Sequence, residues 1–155
     1  MSPGLRLRPI GVVHSPWKEP SDLPPPAFAP PGFFGRSRGT IEVQPRFAPG
    51  LDGLEGFSHI IVLFQFHKAG RAKLKVLPPG QTEPRGVFAS RSPHRPNPLG
   101  MSVLRLLGRN GRRLDVSGLD LIDGTPVLDI KPYTARDRKS RIRTGWIGRR
   151  RPAAR

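Results

Sequence analysis

The sequence predicts a mainly β protein, an antiparallel barrel or sandwich with a long Pro-rich loop and a basic C-terminal tail. Three observations support this. Apolar runs are short, rich in Val, Ile and Phe, and sit between turn signals. Twenty prolines and eighteen glycines in 155 residues leave little room for long helices. The apolar fraction of 35 % lies below the globular norm, yet the length suits one domain with a sizeable core.

Eight segments read as strands: Pro9–Ser15, Gly39–Val43, His59–His67, Ala72–Leu77, Gly86–Ser90, Ser102–Gly108, Arg113–Gly118 and Pro126–Lys131. Asn110-Gly111 between two strand patterns signals a tight hairpin, because both residues tolerate positive φ. "DLPPPAFAPPGFFG" (Asp22–Gly35) holds five prolines and reads as a long loop, since proline cannot join a central strand. Ala48–Phe57 fits a single helical turn. No strand-to-helix G-x-G-x-x-G is present, which argues against a doubly wound nucleotide-binding fold.

The chain has no cysteine, which removes disulfide frameworks and thiolate metal sites. Its histidines lack metal-ligand spacing, so no metal is expected. No apolar run is long enough to span a membrane, and the first residues lack the apolar core of a signal peptide. A soluble cytoplasmic protein is the expectation. The net charge is +16, from 27 basic and 11 acidic residues. From Lys131 onward ten Lys or Arg meet one acid, Asp137. Such clustering points to a polyanionic partner, with nucleic acid first. A solvated tail is the alternative, above all over Arg149–Arg155.

"RSPHRPNPLGMS" (Arg91–Ser102) is the most loaded stretch. Pro93, Pro96 and Pro98 fix their own φ and push Ser92, Arg95 and Asn97 toward extended backbone. Guanidinium groups on so stiff a loop suit a carboxylate or a phosphate. A rigid turn with its arginines in solvent fits the same residues. In "LDLIDGTPVLDIKPY" (Leu119–Tyr133), Asp120 and Asp123 read either as a carboxylate pair for a ligand or as parts of an ordinary turn. His59 and His67 bracket an apolar strand at an even separation, which points both to one face. His67, at the strand end, suits ligand contact or proton transfer.

Four blocks in order resemble the TsaA-like (TrmO) family: "PIGVVHSPWKEP", "GLEGFSHIIVLFQFH", "GVFASRSPHRPNPLGMSVLRL" and "LDLIDGTPVLDIKPY". The resemblance covers about residues 8 to 133 and implies a small antiparallel β-barrel, the TsaA-like domain. Residues 1–7 then form an N-terminal extension and 134–155 a basic C-terminal segment. The resemblance implies S-adenosyl-L-methionine as cofactor, a homodimer, and methylation of N6 of threonylcarbamoyladenosine next to the anticodon of tRNA.

Carried over by position, the cofactor contacts are His67, Lys68, Arg91, Met101, Asp120, Leu121, Ile122 and Asp123. Pro24, Pro25 and Pro26 stand where the family has a polar cofactor-contacting turn, so only backbone contacts carry over there. His67 is the expected proton acceptor. Arg95, Arg138, Lys139, Arg141 and Arg143 are expected on the RNA side. Two other readings compete: a non-catalytic RNA-binding barrel, and a methyltransferase with a small-molecule acceptor.

Overall fold

The computed structural model describes residues 4–24, 29–30 and 32–147. Six strands close an antiparallel barrel: β1 (Gly11–His14), β2 (Arg38–Val43), β3 (His59–Gln65), β6 (Leu99–Asn110), β7 (Arg113–Ser117) and β8 (Pro126–Pro132). Around the barrel the order is β1-β2-β7-β6-β3-β8, and β8 returns to β1 through Gly11↔Val127. Closure leaves no unpaired edge in the barrel.

Alternation decides what faces inward. In β3, Ile60, Val62 and Phe64 are buried while His59, Ile61, Leu63 and Gln65 are only partly so. Each barrel strand sends at least one fully enclosed apolar side chain to the axis: Val13, Ile41, Ile60, Leu104, Leu114 and Val127. Burying each such side chain contributes about 1.5–3 kcal/mol. Close strand packing also demands small residues. A Cβ on Gly39 would meet the His14 carbonyl oxygen and Cδ2 of Leu119.

The barrel has six strands rather than the eight the sequence suggests. β4 (Lys75–Val76) and β5 (Arg85–Gly86) instead form a separate two-stranded ribbon. "GVFAS" is not a strand: Val87–Ala89 is a 3-10 turn, closed where Ser90 Oγ donates to the Val87 carbonyl at 2.8 Å. The single turn expected in Ala48–Phe57 is two 3-10 segments, Pro45–Leu51 and Leu54–Gly56, whose Leu51 and Leu54 join the core. The hairpin loop lies one residue later than expected. Asn110 pairs with Arg113, and Gly111 (φ 60°) opens the two-residue turn.

The topology gathers three long connections at one end of the barrel. Residues 15–37 follow β1, residues 66–98 follow β3, and residues 118–125 follow β7. The opposite end carries residues 44–58 and the hairpin turn. Among the described residues, the expected cofactor contacts other than Met101 all fall on these three connections. Among the described residues, no helix is long and apolar enough to cross a membrane, and no three His, Asp or Glu residues could share a metal ion.

Candidate active site at the barrel rim

The Arg91–Ser102 loop folds around one of its arginines. Arg95 Nη1 donates to the carbonyls of Val87 (3.0 Å), Ser90 (2.8 Å) and Ser92 (3.3 Å). Its guanidinium also lies 5.9 Å from the Phe88 ring centroid. The serines complete the turn: Ser92 N–H donates to Ser90 Oγ, and His94 N–H to Ser92 Oγ. Arg91 has none of these ties. Its side chain is exposed and makes no hydrogen bond or ion pair among the described residues. The two arginines of this loop therefore do different jobs.

Asp120 and Asp123 also divide. Leu119 and Leu121 are buried and anchor the segment in the core. Asp120 between them is half-buried, and its Oδ1 accepts from Ser102 Oγ at 2.7 Å. Burial pushes its carboxyl above the ordinary carboxylate range, while the Ser102 bond and the Arg91 charge pull the other way. Asp123 is held by the backbone instead. Its Oδ1 accepts from Ser15 N–H and its Oδ2 from Lys18 Nζ, both at 2.9 Å, and these contacts lower its pKa. It shapes the chain after β1. The half-buried Ile122 uses its carbonyl to accept from Thr125 Oγ1 at 2.6 Å.

His67 does not continue β3. The strand shifts register against β8 between Leu63 and Phe64 and ends at Gln65. The His67 N–H then turns back to the Gln65 carbonyl at 2.9 Å. The even spacing from His59 therefore does not place the two on one strand face. Half-buried His67 directs Nε2 to within 3.9 Å of a Cβ built on Gly124, next to Asp123. Burial, then the neighbouring Lys68 charge, lowers its pKa. Lys68 Nζ bonds both Glu19 carboxylate oxygens at 3.1 Å and the Lys18 carbonyl at 3.2 Å, tying the 66–98 and 15–37 connections together.

The other expected contacts scatter. Met101 points outward from β6, opposite Leu63, and is 45 % exposed. Pro24 is half-buried, and Pro25 and Pro26 lie outside the described residues. Two clefts occur elsewhere. One of about 520 Å³ includes His14 and Arg112, both paired to Glu42. The other, of about 500 Å³, includes Arg36, Arg38 and Arg105. Neither is lined by Arg91, Asp120 or His67.

Residues 12–137 match the family model described as the tRNA-methyltransferase O (TrmO) N-terminal domain. The chain belongs to the TrmO family. It is 48 % identical over 128 residues to an S-adenosyl-L-methionine-binding protein of Archaeoglobus fulgidus, covering 83 % of this chain and 88 % of that one. It is 40 % identical over 138 residues to the human tRNA (adenine(37)-N6)-methyltransferase, covering 84 % of this chain but 30 % of the human protein. The crystal structure of TrmO from Pseudomonas aeruginosa superposes with a TM-score of 0.75 at 41 % identity, covering 92 % of this chain and 62 % of that one.

Within this TrmO-family barrel, sequence reasoning missed several residues that shape the rim. Ser102 holds Asp120. Trp17 Nε1 donates to Ser37 Oγ (2.9 Å) and the Leu119 carbonyl (3.2 Å), and its ring stacks on Phe33. The signal was available, since the chain has only two tryptophans. The second, Trp146, donates to the Ala89 carbonyl at 2.7 Å and lies under Arg85. The C-terminal segment is thus fastened beside the Arg95 loop. Arg138, Lys139, Arg141 and Arg143 are all exposed along it, and Arg149–Arg155 lies outside the described residues.

Proposed function

We propose that this TrmO-family chain is an S-adenosyl-L-methionine-dependent methyltransferase acting on N6 of threonylcarbamoyladenosine next to the anticodon of tRNA. One observation carries the assignment of the site. An exposed arginine with no hydrogen-bond or ion-pair partner among the described residues, Arg91, sits where its charge acts on half-buried Asp120, at the end of the barrel that also carries His67. The names of the Archaeoglobus and human relatives support the cofactor and the acceptor class.

The donor set fits the cofactor. Arg91 offers paired N–H groups to an amino-acid carboxylate. Asp120 offers an acceptor for hydroxyl or exocyclic amine protons, and Leu121 and Ile122 beside it supply apolar surface. The bound cofactor supplies a methyl group already activated on a sulfonium, so the chain's task is to align the acceptor and exclude water. His67 stays neutral at pH 7 because burial and Lys68 disfavour its cation. A neutral imidazole can take the proton that N6 releases. Because its folded pKa lies below the ordinary 6.5, His67 remains a proton acceptor somewhat below that pH. Methyl transfer measured across pH is expected to hold its rate until below 6.5 and then fall. A His67→Asn variant that keeps the same rate and profile would remove this role.

The chain is further proposed to act as a homodimer. Leu99, Met101 and Val103 are each more than two-fifths exposed on the outer face of β6, beside Ile61 and Leu63 of β3. That continuous apolar stripe suits a second copy. Light scattering should give twice the chain mass, and a monomer at all concentrations would reject the dimer. For the acceptor, turnover is compared on tRNA with and without the threonylcarbamoyl group. Turnover only with the group supports the assignment, and equal turnover rejects it.

A further inference from the structure

The cleft on the outer wall of β2, β7 and β6 is explained by strand register. Arg38 of β2 and Arg105 of β6 both stand opposite Ser117 of β7. Both arginines face outward, and Ser117 between them is buried. Two strand spacings separate their backbones by about 10 Å. The β6–β7 register shift between Leu106 and Gly108 adds Leu107 to the cleft wall, and Arg36 closes the side toward the 15–37 connection.

None of these three guanidinium groups has a hydrogen bond or ion pair among the described residues. Three arginines elsewhere show what a matched guanidinium looks like on this surface: Arg85 pairs with Glu83, Arg109 with Asp52 and Glu55, and Arg112 with Glu42. The cleft lining contains no carboxylate. Asp115 lies further along β7, opposite Thr40 and Gly108, and makes no ion pair with the three. Like charges held unneutralised around a depression favour an anion that brings several charges at once.

We propose that Arg36, Arg38 and Arg105 bind the phosphodiester backbone of the tRNA, at a site distinct from the basic tail. The inference rests on the tRNA methyltransferase reading above. RNA fits better than an acidic protein surface because planar guanidinium forks match phosphate oxygens and the cleft offers little apolar wall for a protein side chain beyond Leu107. The cleft also leads to the rim. Ser37, between Arg36 and Arg38, accepts from Leu119 N–H at 3.2 Å, and Asp120 is the next residue. RNA held in the cleft is thereby guided toward the candidate site.

The test compares binding of unfractionated tRNA to the full chain at several salt concentrations. One variant carries Arg36→Ala, Arg38→Ala and Arg105→Ala. A charge-matched control carries Arg6→Ala, Arg8→Ala and Arg46→Ala, all exposed and away from the cleft. Each lost phosphate contact flattens the log–log salt slope by about 0.7–0.9. Between 50 and 200 mM salt the wild type should therefore weaken about 20- to 40-fold more than the cleft variant. The control should keep the wild-type slope, and all three proteins should bind S-adenosylmethionine equally. An unchanged slope in the cleft variant, or equal flattening in the control, overturns the proposal. Displacement of tRNA by polyglutamate as readily as by polyuridylate would assign the cleft to acidic protein instead and also overturn it. A wild type that does not bind tRNA removes the underlying reading rather than the cleft alone.

Discussion

Replacing Arg91 by Ala is expected to raise the Kd for S-adenosylmethionine about ten- to a hundredfold and to leave the melting temperature unchanged. The side chain is exposed and bonds to nothing in the described protein, so its removal costs the fold little. In the complex it would donate charge-assisted hydrogen bonds to a carboxylate, worth about 1.5–3 kcal/mol. Each 1.4 kcal/mol is about tenfold in affinity. Arg91→Lys keeps the charge but loses the planar fork, and an intermediate Kd is expected. Titration calorimetry reads all three proteins. Wild-type affinity in Arg91→Ala would sink the clamp.

Arg95→Ala is expected to behave oppositely, losing stability first and affinity as a consequence. One guanidinium nitrogen gathers the carbonyls of Val87, Ser90 and Ser92, which closes the loop that carries Arg91. Without it the Ser90 and Ser92 carbonyls lose a donor, the Val87 carbonyl keeps only Ser90 N–H and Oγ, and the loop loses its shape. A cost of about 1–2 kcal/mol follows from net hydrogen-bond values. For a chain of this size that is a melting-temperature drop of about 2–8 °C. Cofactor affinity should fall as well, because ordering the loop on binding costs entropy. Thermal unfolding of Arg91→Ala and Arg95→Ala side by side separates the two roles. If Arg95→Ala melts with the wild type and loses only tRNA affinity, Arg95 is an RNA contact and not a loop fastener. Its Nη1 is committed to the loop, so any phosphate contact would fall to Nη2 or Nε.

The barrel strands were legible because their inward residues are bulky and evenly spaced. Ile60, Val62 and Phe64 in β3, and Leu104 and Leu106 in β6, fix the register by burial. The two segments that failed lack that constraint. In Ala72–Leu77 only Lys75–Val76 pairs, while Leu74 and Leu77 are largely exposed. In Gly86–Ser90, Val87 is buried but Phe88 is 76 % exposed, and the Ser90 hydroxyl favours a tight turn over a ladder. Parity misled at His67 because the register shift at Leu63/Phe64 and the turn after Gln65 break the two-residue period, neither of which the composition reveals.

The site was legible as a set of positions and not as a set of roles. Asp120 and Asp123 look equivalent in "LDLID", yet one is held by a serine hydroxyl and the other by a backbone N–H and a lysine. Arg91 and Arg95 look equally poised on a stiff loop, yet only the fold shows which carbonyls surround Arg95. Partners come from distant segments: Ser102 reaches Asp120 across 18 residues, and Ser15 reaches Asp123 across 108. Local spacing carries no information about such pairs. Residue type does narrow the field, since Arg91, Arg95, Asp120 and Asp123 stand out by charge and spacing alone while Ser15 and Ser102 do not.

The proposed reaction is methyl transfer to one modified nucleoside of tRNA. Its most direct test is mass analysis of nucleosides released from tRNA after incubation with this protein and S-adenosylmethionine. Threonylcarbamoyladenosine is expected to gain the mass of one methyl group, and the gain is expected to be lost with Arg91→Ala at limiting cofactor. Methylation of any other nucleoside in its place, or no methylation with threonylcarbamoylated tRNA present, would contradict it.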